Sequence, residues 1–514
     1  MKNALGIALP DQIPGYGVVT PYSGVFTRLA PRANVGGRAK PRTPGEDKVL
    51  PNLKTAILRS GLKDGMTVSF HHHLRNGDHV VNQVMQVIAE LGLKDLCVAA
   101  SGIFAVHEPL VKLIEAGVIT QIITSTFNSG PVPKAITAGK LKKPCIMMTH
   151  GGRPQAIMNG SLHIDVAFIA APTADTQGNL NGTDGPSACG YLSYAYADAE
   201  YADCVVAVTD HLVAYPACPI EISQEKVDYI VPVASIGDPG GIVSGTTRIT
   251  TDPVRLKIAS DTAELMEQTG AICEGMSFQT GASSTALAVA DDVRRRMLEQ
   301  HITGSFALGG IHAYMVKMLE EELFHALLDT QCFDLDAIRS ARENTNHMAI
   351  SASQYANPFS GSPVVNCLDT VILGATEIDV NFNVNVTTGS NGVIMGAAGG
   401  HSDCAAGSKL AIIVANLTRK KFCVVRDHVT TITTPGDTID ALVTEYGIAI
   451  NPRRTDLLEQ LKDSGLPLKT IAELKHIGEE LVGPQGHAKV TDHIVGIVEY
   501  RDGSVIDLVY QPEA

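Results

Sequence analysis

The sequence predicts an α/β fold built from two diverged copies of one domain, each with a mainly parallel sheet. From Leu53 onward, apolar strand-like segments alternate with amphipathic helices, a pattern typical of parallel sheets covered by helices. An internal repeat supports two copies, because Gly65-Met66 recurs 210 residues later as Gly275-Met276. Gly102-Ile103 likewise recurs 208 residues later as Gly310-Ile311. The 514 residues are enough for two such domains.

The repeat and the composition together divide the chain into four predicted segments. Glycine and proline recur throughout residues 1–50, which indicates an extended arm that either lies across a neighbouring domain or subunit or is a mobile tail. Residues 51–240 form the first domain, and residues 241–262 are a linker, indicated by the glycines at positions 237, 240, 241 and 245. Residues 263–514 form the second domain.

Individual elements follow from spacing and from turn residues. Val84, Ile88 and Leu91 recur at helical intervals, whereas Leu96–Ala100 is a short apolar run of the kind found in buried strands. Asp502-Gly503 separates two alternating segments and predicts a hairpin turn. The predicted helices are 53–60, 80–91, one ending near residue 116, 286–300 and 457–481. The predicted strands are 65–70, 96–100, 122–123, 146–148, 166–170, 205–207, 230–233 and 410–414.

Composition excludes several classes of function. The chain has no Trp, 5% aromatic residues and a net charge of −14, which argues against nucleic acid as a partner. Its ten cysteines contain no C-x-x-C pair, which predicts reduced thiols and neither a zinc site nor a disulfide framework. The apolar run before Pro10 is only six residues, too short for a signal sequence, and no run approaches the length of a membrane span. We therefore expect a cytoplasmic protein that binds no metal and no membrane.

A loop of glycine and alanine is the most distinctive local feature. Gly396-Ala397-Ala398-Gly399-Gly400 precedes the apolar run Leu410–Val414, and such a loop lets a ligand lie on the backbone with N–H groups facing an anion. Asn416 stands where a dinucleotide fingerprint needs an acidic residue, and Gly407-Ser408-Lys409 does not match a phosphate-binding P-loop. A turn packed for structure alone is the alternative.

Two motifs carry a resemblance to a known family. GAAGGHSDCAAGS is similar to the glycine loop of family I acyl-CoA transferases and acetyl-CoA hydrolases, and Val443–Ala449 is similar to their VTEYGVA stretch. Over nearly its whole length the chain resembles the alpha subunits of citrate lyase, within the same superfamily. The resemblance implies that both domains have the CoA-transferase-type (NagB/RpiA/CoA-transferase-like) fold, with the site between them.

The same resemblance implies a reaction and partners. The expected activity exchanges acetate for citrate on the thioester of an acyl-carrier protein, giving citryl-carrier protein and acetate. The implied partners are the acyl-carrier subunit and a citryl-cleaving lyase subunit, in a hetero-oligomeric complex where this chain is also a homo-oligomer. The chain itself is expected to bind no cofactor, because the CoA-like group, derived from dephospho-CoA, is carried by the partner.

The turn after the first strand is the predicted citrate site. His71, His72, His73, Arg75 and Asn76 gather several donors at a position where α/β folds place ligand loops, and citrate brings three carboxylates. A zinc site is one alternative, and a solvated turn with one buried histidine is another.

Two loops are predicted to bind the CoA-like arm of the carrier. One is the glycine loop, through Gly396, Ala397, Ala398, His401 and Ser402. The other is Gly281, Ala282 and Ser283, which lead into a helix whose N-terminus favours an anion. The serine could equally cap that helix.

The predicted catalytic residues are Gly399, Gly400, Gly310 and Tyr314. Family I transferases use a glutamate in a motif like GIHTEM, whereas this chain has GIHAYM, with Tyr314 at the position of the glutamate. A tyrosine cannot accept the acyl group in that exchange, which favours direct attack of citrate on the thioester through an anhydride. The alternatives are an ordinary acyl-CoA transferase or hydrolase that uses another carboxylate, and a non-catalytic scaffold that docks the carrier.

Overall fold

The structure is a computed structural model that describes residues 1–37, 40–243, 249–281 and 283–513. Its strands, in chain order, are β1 (Gln12–Ile13), β2 (Gly17–Val18), β3 (Thr67–Phe70), β4 (Leu96–Ala100), β5 (Ile119–Thr124), β6 (Cys145–Met147), β7 (Val166–Ala171), β8 (Thr173–Asp175), β9 (Leu180–Asn181), β10 (Cys204–Thr209), β11 (Leu212–Val213), β12 (Tyr229–Pro232), β13 (Ser277–Thr280), β14 (Gly304–Ile311), β15 (Phe324–Cys332), β16 (His347–Ala349), β17 (Thr370–Gly374), β18 (Glu377–Asp379), β19 (Val384–Asn385), β20 (Leu410–Val414), β21 (Thr418–Arg419), β22 (Phe422–Cys423), β23 (Val425–Arg426), β24 (Ala441–Thr444), β25 (Gly447–Ile450), β26 (Val490–Glu499) and β27 (Val505–Pro512).

The helices flank two large sheets. They are α1 (Leu53–Ser60), α2 (Val80–Glu90), α3 (Leu110–Glu115), α4 (Pro131–Thr137), α5 (Gly152–Met158), α6 (Tyr196–Tyr201), α7 (Pro253–Gln268), α8 (Ser284–Gln300), α9 (Ala313–Glu320), α10 (Leu335–Glu343), α11 (Ala352–Ala356), α12 (His401–Gly407), α13 (Thr455–Leu461) and α14 (Ile471–Val482). The central strands β4, β5 and β7 are buried along their whole length, as expected for parallel strands covered on both faces.

The two sheets have the same strand order, which confirms the predicted repeat. The first runs β12-β10-β7-β3-β4-β5-β6, and the second runs β24-β20-β17-β13-β14-β15-β16 over the corresponding positions. Neighbouring strands in both runs are parallel. The fold is therefore α/β with two copies of one domain, as predicted.

The C-terminal hairpin differs from the expectation for the second domain. The turn at Asp502-Gly503 joins β26 and β27 as predicted, but β26 pairs in parallel with β6 and extends the first sheet to nine strands. An isolated hairpin pattern carries no information about which sheet it joins, because the pairing partner is distant in sequence. Residues 490–512 thus belong to the sheet of the first domain, although the Asp507 carboxylate also accepts from the Ile432 N–H of the second domain over 2.7 Å.

The N-terminal arm packs on this hairpin over its first part. Leu9, Ile13 and Val19 form a small apolar cluster with residues of β26 and β27. Phe26 is 77% exposed, and the Arg453 guanidinium lies 4.8 Å from its ring centroid. The predicted linker is partly helical, since α7 begins at Pro253 with Asp252 as its N-cap. Among the described helices, none has both the length and the hydropathy that crossing a membrane requires.

Candidate functional site at the junction of the two sheets

The glycine loop of the second domain lies against the carboxyl ends of the first-domain strands. The Gly399 N–H donates to the Ser125 carbonyl over 2.8 Å, and the His150 N–H donates to the Gly399 carbonyl over 2.8 Å. A further contact crosses the junction where the Gln331 side chain donates to the His72 carbonyl over 2.8 Å. In α/β folds ligands bind at the carboxyl ends of parallel strands, and here two such ends face each other.

Three backbone N–H groups of the glycine loop have no acceptor among the described residues. They belong to Ala397, Ala398 and Gly400, whereas the neighbouring Gly399 N–H is bound to Ser125. The loop leads directly into α12, whose positive end adds to the field at this point. Unbound amides at the start of a helix can stabilise an anion or an oxyanion.

Glycine is required at three positions of the loop for different reasons. Gly399 has φ +53°, in the left-handed region. A side chain at Gly400 would lie 2.5 Å from the Tyr355 hydroxyl, and one at Gly396 would lie 2.2 Å from the Val386 carbonyl. At Gly399, by contrast, only the His150 ring lies within 4 Å of the position that a Cβ would take. Open space therefore adjoins Gly399 and no other glycine of the loop.

The side chains of His401 and Ser402, predicted to bind the carrier arm, are engaged inside the second domain. His401 Nδ1 lies 2.7 Å from Thr434 Oγ1, and its Nε2 lies 2.8 Å from the Gly374 carbonyl. Ser402 donates to the Thr433 carbonyl over 2.7 Å. Burial lowers the pKa of His401 to about 4. These side chains anchor the first turn of α12, which leaves the backbone of the loop to face a ligand.

Asp403, to which the sequence analysis gave no role, attaches the glycine loop to the first domain. Its two carboxylate oxygens accept from Thr149 Oγ1 over 3.0 Å and from the Gly151 N–H over 2.9 Å. Arg501, in the turn of the C-terminal hairpin, lies 3.6 Å away. Burial raises the pKa of Asp403 to about 6, against the opposing effect of Arg501. The aspartate of the family loop motif was the signal that could have identified this residue.

The three adjacent histidines of the predicted citrate site are all buried, which contradicts the alternative of a solvated turn. His71 Nε2 lies 3.1 Å from Asp198, which also holds Arg153 in a bidentate pair. His72 Nδ1 lies 2.6 Å from Ser101 Oγ. Burial lowers the pKa of His73 to about 3 and that of His72 well below its usual value. At neutral pH these two rings carry no charge.

Arg75 supplies the cation that the histidines do not. It adopts φ +51°, and its guanidinium lies 4.6 Å from the Phe333 ring centroid and 5.6 Å from that of Phe104. Burial lowers its pKa to about 10, so the group stays charged at neutral pH. Asn76 is exposed, and its side chain accepts from the Val106 N–H over 3.0 Å. Of the pair, Arg75 is the residue that lies at the junction of the domains.

Gly310 and Tyr314, both predicted to be catalytic, occupy different surroundings. Gly310 follows a register shift between β14 and β15, and a Cβ there would lie 2.1 Å from the Phe333 ring. Tyr314 is half-buried at the start of α9, with its ring 6.2 Å from that of His312. Within the described part of the chain, Tyr314 makes no hydrogen bond or ring contact with the glycine loop or the histidine turn.

The second predicted loop for the carrier arm is partly described. Gly281 is exposed and directly follows β13, and its N–H donates to the Ile372 carbonyl of the neighbouring β17 over 3.2 Å. Ser283 caps α8 by accepting from the Ala286 N–H over 3.1 Å, the structural role considered for it above. Ala282 lies outside the described residues.

Aromatic and imidazole rings that the sequence analysis missed complete the junction. Tyr194 is buried with its ring centroid 4.6 Å from that of His72 and 4.8 Å from that of His150. Behind the glycine loop, Tyr355 lies 2.7 Å from Cys404 Sγ and 2.9 Å from the Gln279 amide. No short motif marks these residues, because they come from segments far apart in the chain.

Comparisons with known proteins identify the family. The family model "Citrate lyase, alpha subunit (CitF)" matches residues 46–512. The citrate lyase alpha chain of Klebsiella pneumoniae is 47% identical over 493 residues, covering 96% of each chain. A crystal structure from Streptococcus mutans, assigned as an alpha subunit of citrate lyase and solved with citrate, superposes with a TM-score of 0.96. It is 45% identical, with full coverage of both chains.

A more distant structure supports the fold alone. The 4-hydroxybutyrate CoA-transferase of Porphyromonas gingivalis has a TM-score of 0.53 and 16% identity, covering 85% of this chain and 97% of its own. The fold is thus of the CoA-transferase type, as the glycine loop predicted. With a family model spanning both domains and close relatives of matching length, the chain belongs to the family of citrate lyase alpha subunits.

Proposed function

We propose that this chain is a transferase that converts acetyl-carrier protein and citrate into citryl-carrier protein and acetate. Family membership supports the reaction class, and the citrate bound to the streptococcal relative supports the substrate. The single observation that carries the proposal is the set of unbound N–H groups of the glycine loop, beside the histidine turn of the other domain. Those donors suit an oxyanion that forms between two substrates held by two domains.

We propose direct attack between the two substrates. A citrate carboxylate oxygen attacks the acetyl carbonyl and the C–S bond breaks. The carrier thiolate departs, and an acetyl–citryl anhydride is formed. The thiolate then attacks the citryl carbonyl and expels acetate. The protein needs to hold carboxylate and thioester in contact and to stabilise each oxyanion in turn.

The engagement of the nearby carboxylates supports this route over a covalent one. Asp403 accepts hydrogen bonds from Thr149 and Gly151, and Asp198 is paired with Arg153. Asp329 accepts from the Gln331 N–H over 2.6 Å with one oxygen, and its other oxygen lies 3.0 Å from His347 Nε2. Position 314, where family I transferases keep their glutamate, is a tyrosine. A carboxylate already bound on both oxygens is a poor acyl acceptor.

The remaining parts of the proposal concern the complex. The carrier is an acyl-carrier subunit with a CoA-like arm derived from dephospho-CoA, and that arm lies on residues 396–400. A citryl-cleaving lyase subunit uses the product, and several copies of this chain form the core of a cytoplasmic complex. The isolated chain itself carries no cofactor in this scheme.

The test is exchange by the purified chain. Acetyl-carrier protein, or acetyl-CoA as a surrogate, is mixed with citrate, and mass spectrometry follows citryl thioester formation and acetate release. We expect exchange without any acyl-enzyme trapped by hydroxylamine or borohydride. A trapped glutamyl thioester would support the alternative of an ordinary CoA transferase. Absence of exchange with a carrier that still binds would support the docking scaffold.

A further inference from the structure

The imidazole of His150 has one nitrogen whose proton the surrounding hydrogen bonds assign. Ser125 Oγ lies 2.7 Å from the Ser101 carbonyl and 2.9 Å from His150 Nδ1. The carbonyl can only accept, so the single hydroxyl proton of Ser125 goes to it. His150 Nδ1 must therefore carry the proton in its bond to Ser125, and Nε2 carries a lone pair.

The Nε2 lone pair of His150 faces open space beside the glycine loop. It makes no hydrogen bond with the described residues, and it lies 3.5 Å from the position that a Cβ would take at Gly399. The ring is fixed by its neighbours, because it stacks on the His72 ring with centroids 5.7 Å apart and contacts the tilted Tyr194 ring at 4.8 Å. Burial and the nearby Arg153 lower the pKa of His150 to about 3, which keeps the ring neutral.

The unprotonated Nε2 of a neutral imidazole can only accept a hydrogen bond, so a ligand must bring a donor to it. Citrate at neutral pH has three carboxylates, which only accept hydrogen bonds, and one hydroxyl, which is its only donor. Acetate has no donor at all. We propose that His150 Nε2 accepts the hydrogen bond of the citrate hydroxyl and that His150, fixed by Ser125, selects hydroxylated tricarboxylates. This assignment rests on the proposed function, since it takes citrate as the substrate.

The experiment compares citrate with tricarballylate, which has the same three carboxylates and lacks the hydroxyl. Binding of each acid is measured by titration calorimetry on the full-length wild type, His150→Phe and His150→Gln. Phenylalanine keeps the ring stack without the lone pair, whereas glutamine offers an amide oxygen at a similar reach. Ser125→Ala is a milder variant that removes the group fixing Nδ1.

We expect wild type to bind citrate at least about tenfold more tightly than tricarballylate, the effect of one hydrogen bond to a substrate hydroxyl. His150→Phe should lose that preference by weakening citrate alone, and His150→Gln should recover part of it. Ser125→Ala should lower citrate affinity a few-fold and leave tricarballylate unchanged. Equal affinity of wild type for the two acids, or equal loss of both in His150→Phe, overturns the assignment and leaves the proposed function standing. No citrate binding by wild type overturns both.

Discussion

The ring of Phe333 occupies the space that a side chain on Gly310 would need. A Cβ at Gly310 would lie 2.1 Å from Phe333 Cζ, and the Arg75 guanidinium lies 4.6 Å from the centroid of the same ring. The Phe333 ring therefore links Gly310, the glycine of the GIHAYM motif, to Arg75 in the first domain. In the structure Gly310 makes room for the Phe333 ring, and the catalytic role predicted for this glycine stays a prediction.

Replacing Gly310 tests this relationship. Gly310→Ala should displace Phe333 and lower the free energy of unfolding by about 1–3 kcal/mol through overpacking. The citrate KM should also rise, because Arg75 lies against the displaced ring. Denaturant unfolding and steady-state kinetics measure the two effects. Gly361→Ala is the matched control, because no atom lies within 4 Å of its Cβ position. An unchanged citrate KM in Gly310→Ala would show that the position of Phe333 does not affect citrate binding.

Arg75 is the cation expected to hold a citrate carboxylate. Arg75→Ala removes one charge-assisted hydrogen bond, worth about 1.5–3 kcal/mol, so the citrate KM should rise roughly 10- to 150-fold. The carrier KM should change little, and Arg75→Lys should recover part of the loss because it keeps the charge. A change confined to the carrier KM would reassign this turn to the prosthetic arm.

Gly399 is the best position for testing the glycine loop, because Gly400 has no room for a side chain. Gly399→Ala places a methyl group in the open space where we expect the ligand, beside the unbound N–H groups of Ala398 and Gly400. Turnover should fall by about 100-fold or more, as much as the loss of one oxyanion donor typically costs. The left-handed φ of Gly399 adds about 1–2 kcal/mol of destabilisation. Gly465→Ala is the control, because Gly465 also has a left-handed φ, +75°, and open space around it. This variant should be destabilised by a similar amount and keep its turnover. Equal turnover in the two variants would remove the loop from the active site.

Tyr314 separates the two mechanisms. Because it is half-buried and away from the glycine loop, Tyr314→Phe should retain most activity, with no acyl group on the enzyme. Initial rates at varied citrate and acetyl-carrier concentrations should give intersecting double-reciprocal lines, as a ternary complex requires. Parallel lines would instead show a covalent intermediate and would send the search back to a carboxylate nucleophile.

Asp403 makes stability depend on pH in a defined window. Its pKa of about 6 in the folded protein exceeds the ordinary value of 3.8, so the folded state binds more protons between these values. The free energy of unfolding should therefore fall as pH rises from about 4 to 6, by at most about 1.4 kcal/mol per pH unit, and level off above. Asp403→Asn should flatten this part of the wild-type profile in denaturant titrations. Parallel profiles for the two proteins would exclude Asp403 as the source.

The fold could be predicted because its evidence is local and repeated. The apolar runs Leu96–Ala100 and Leu410–Val414 coincide with β4 and β20, and the glycine markers reflect the same strand order in both sheets. The place of β26 and β27 could not be predicted, because alternation within a strand does not specify its neighbour. One segment, residues 457–481, contains two helices and not one, with a break before Ile471.

The parts of the candidate site that a short motif marks, such as the glycine loop, could be predicted from the sequence. The rings that packing brings together from distant segments could not. The glycine loop and the histidine turn both lie at the junction; the turn follows the strand β3, whereas the loop precedes α12 and β20. His150 comes from the segment after β6 and bonds to the Gly399 backbone, whereas Asp403 stands within the glycine-loop motif itself. His401 and Ser402 follow the loop directly, yet the first turn of α12 directs their side chains to Thr433 and Thr434.

The return of β26 and β27 to the first sheet has a consequence for biosynthesis. A ribosome completes residues 51–240 long before it reaches residues 490–512. The first sheet therefore lacks β26 and β27 until both domains have been translated. The Arg501 turn, which lies beside Asp403, arrives in the same late segment. The junction with the candidate site is therefore completed only at the end of translation, and a fragment that stops before residue 490 leaves β6 as an uncovered edge.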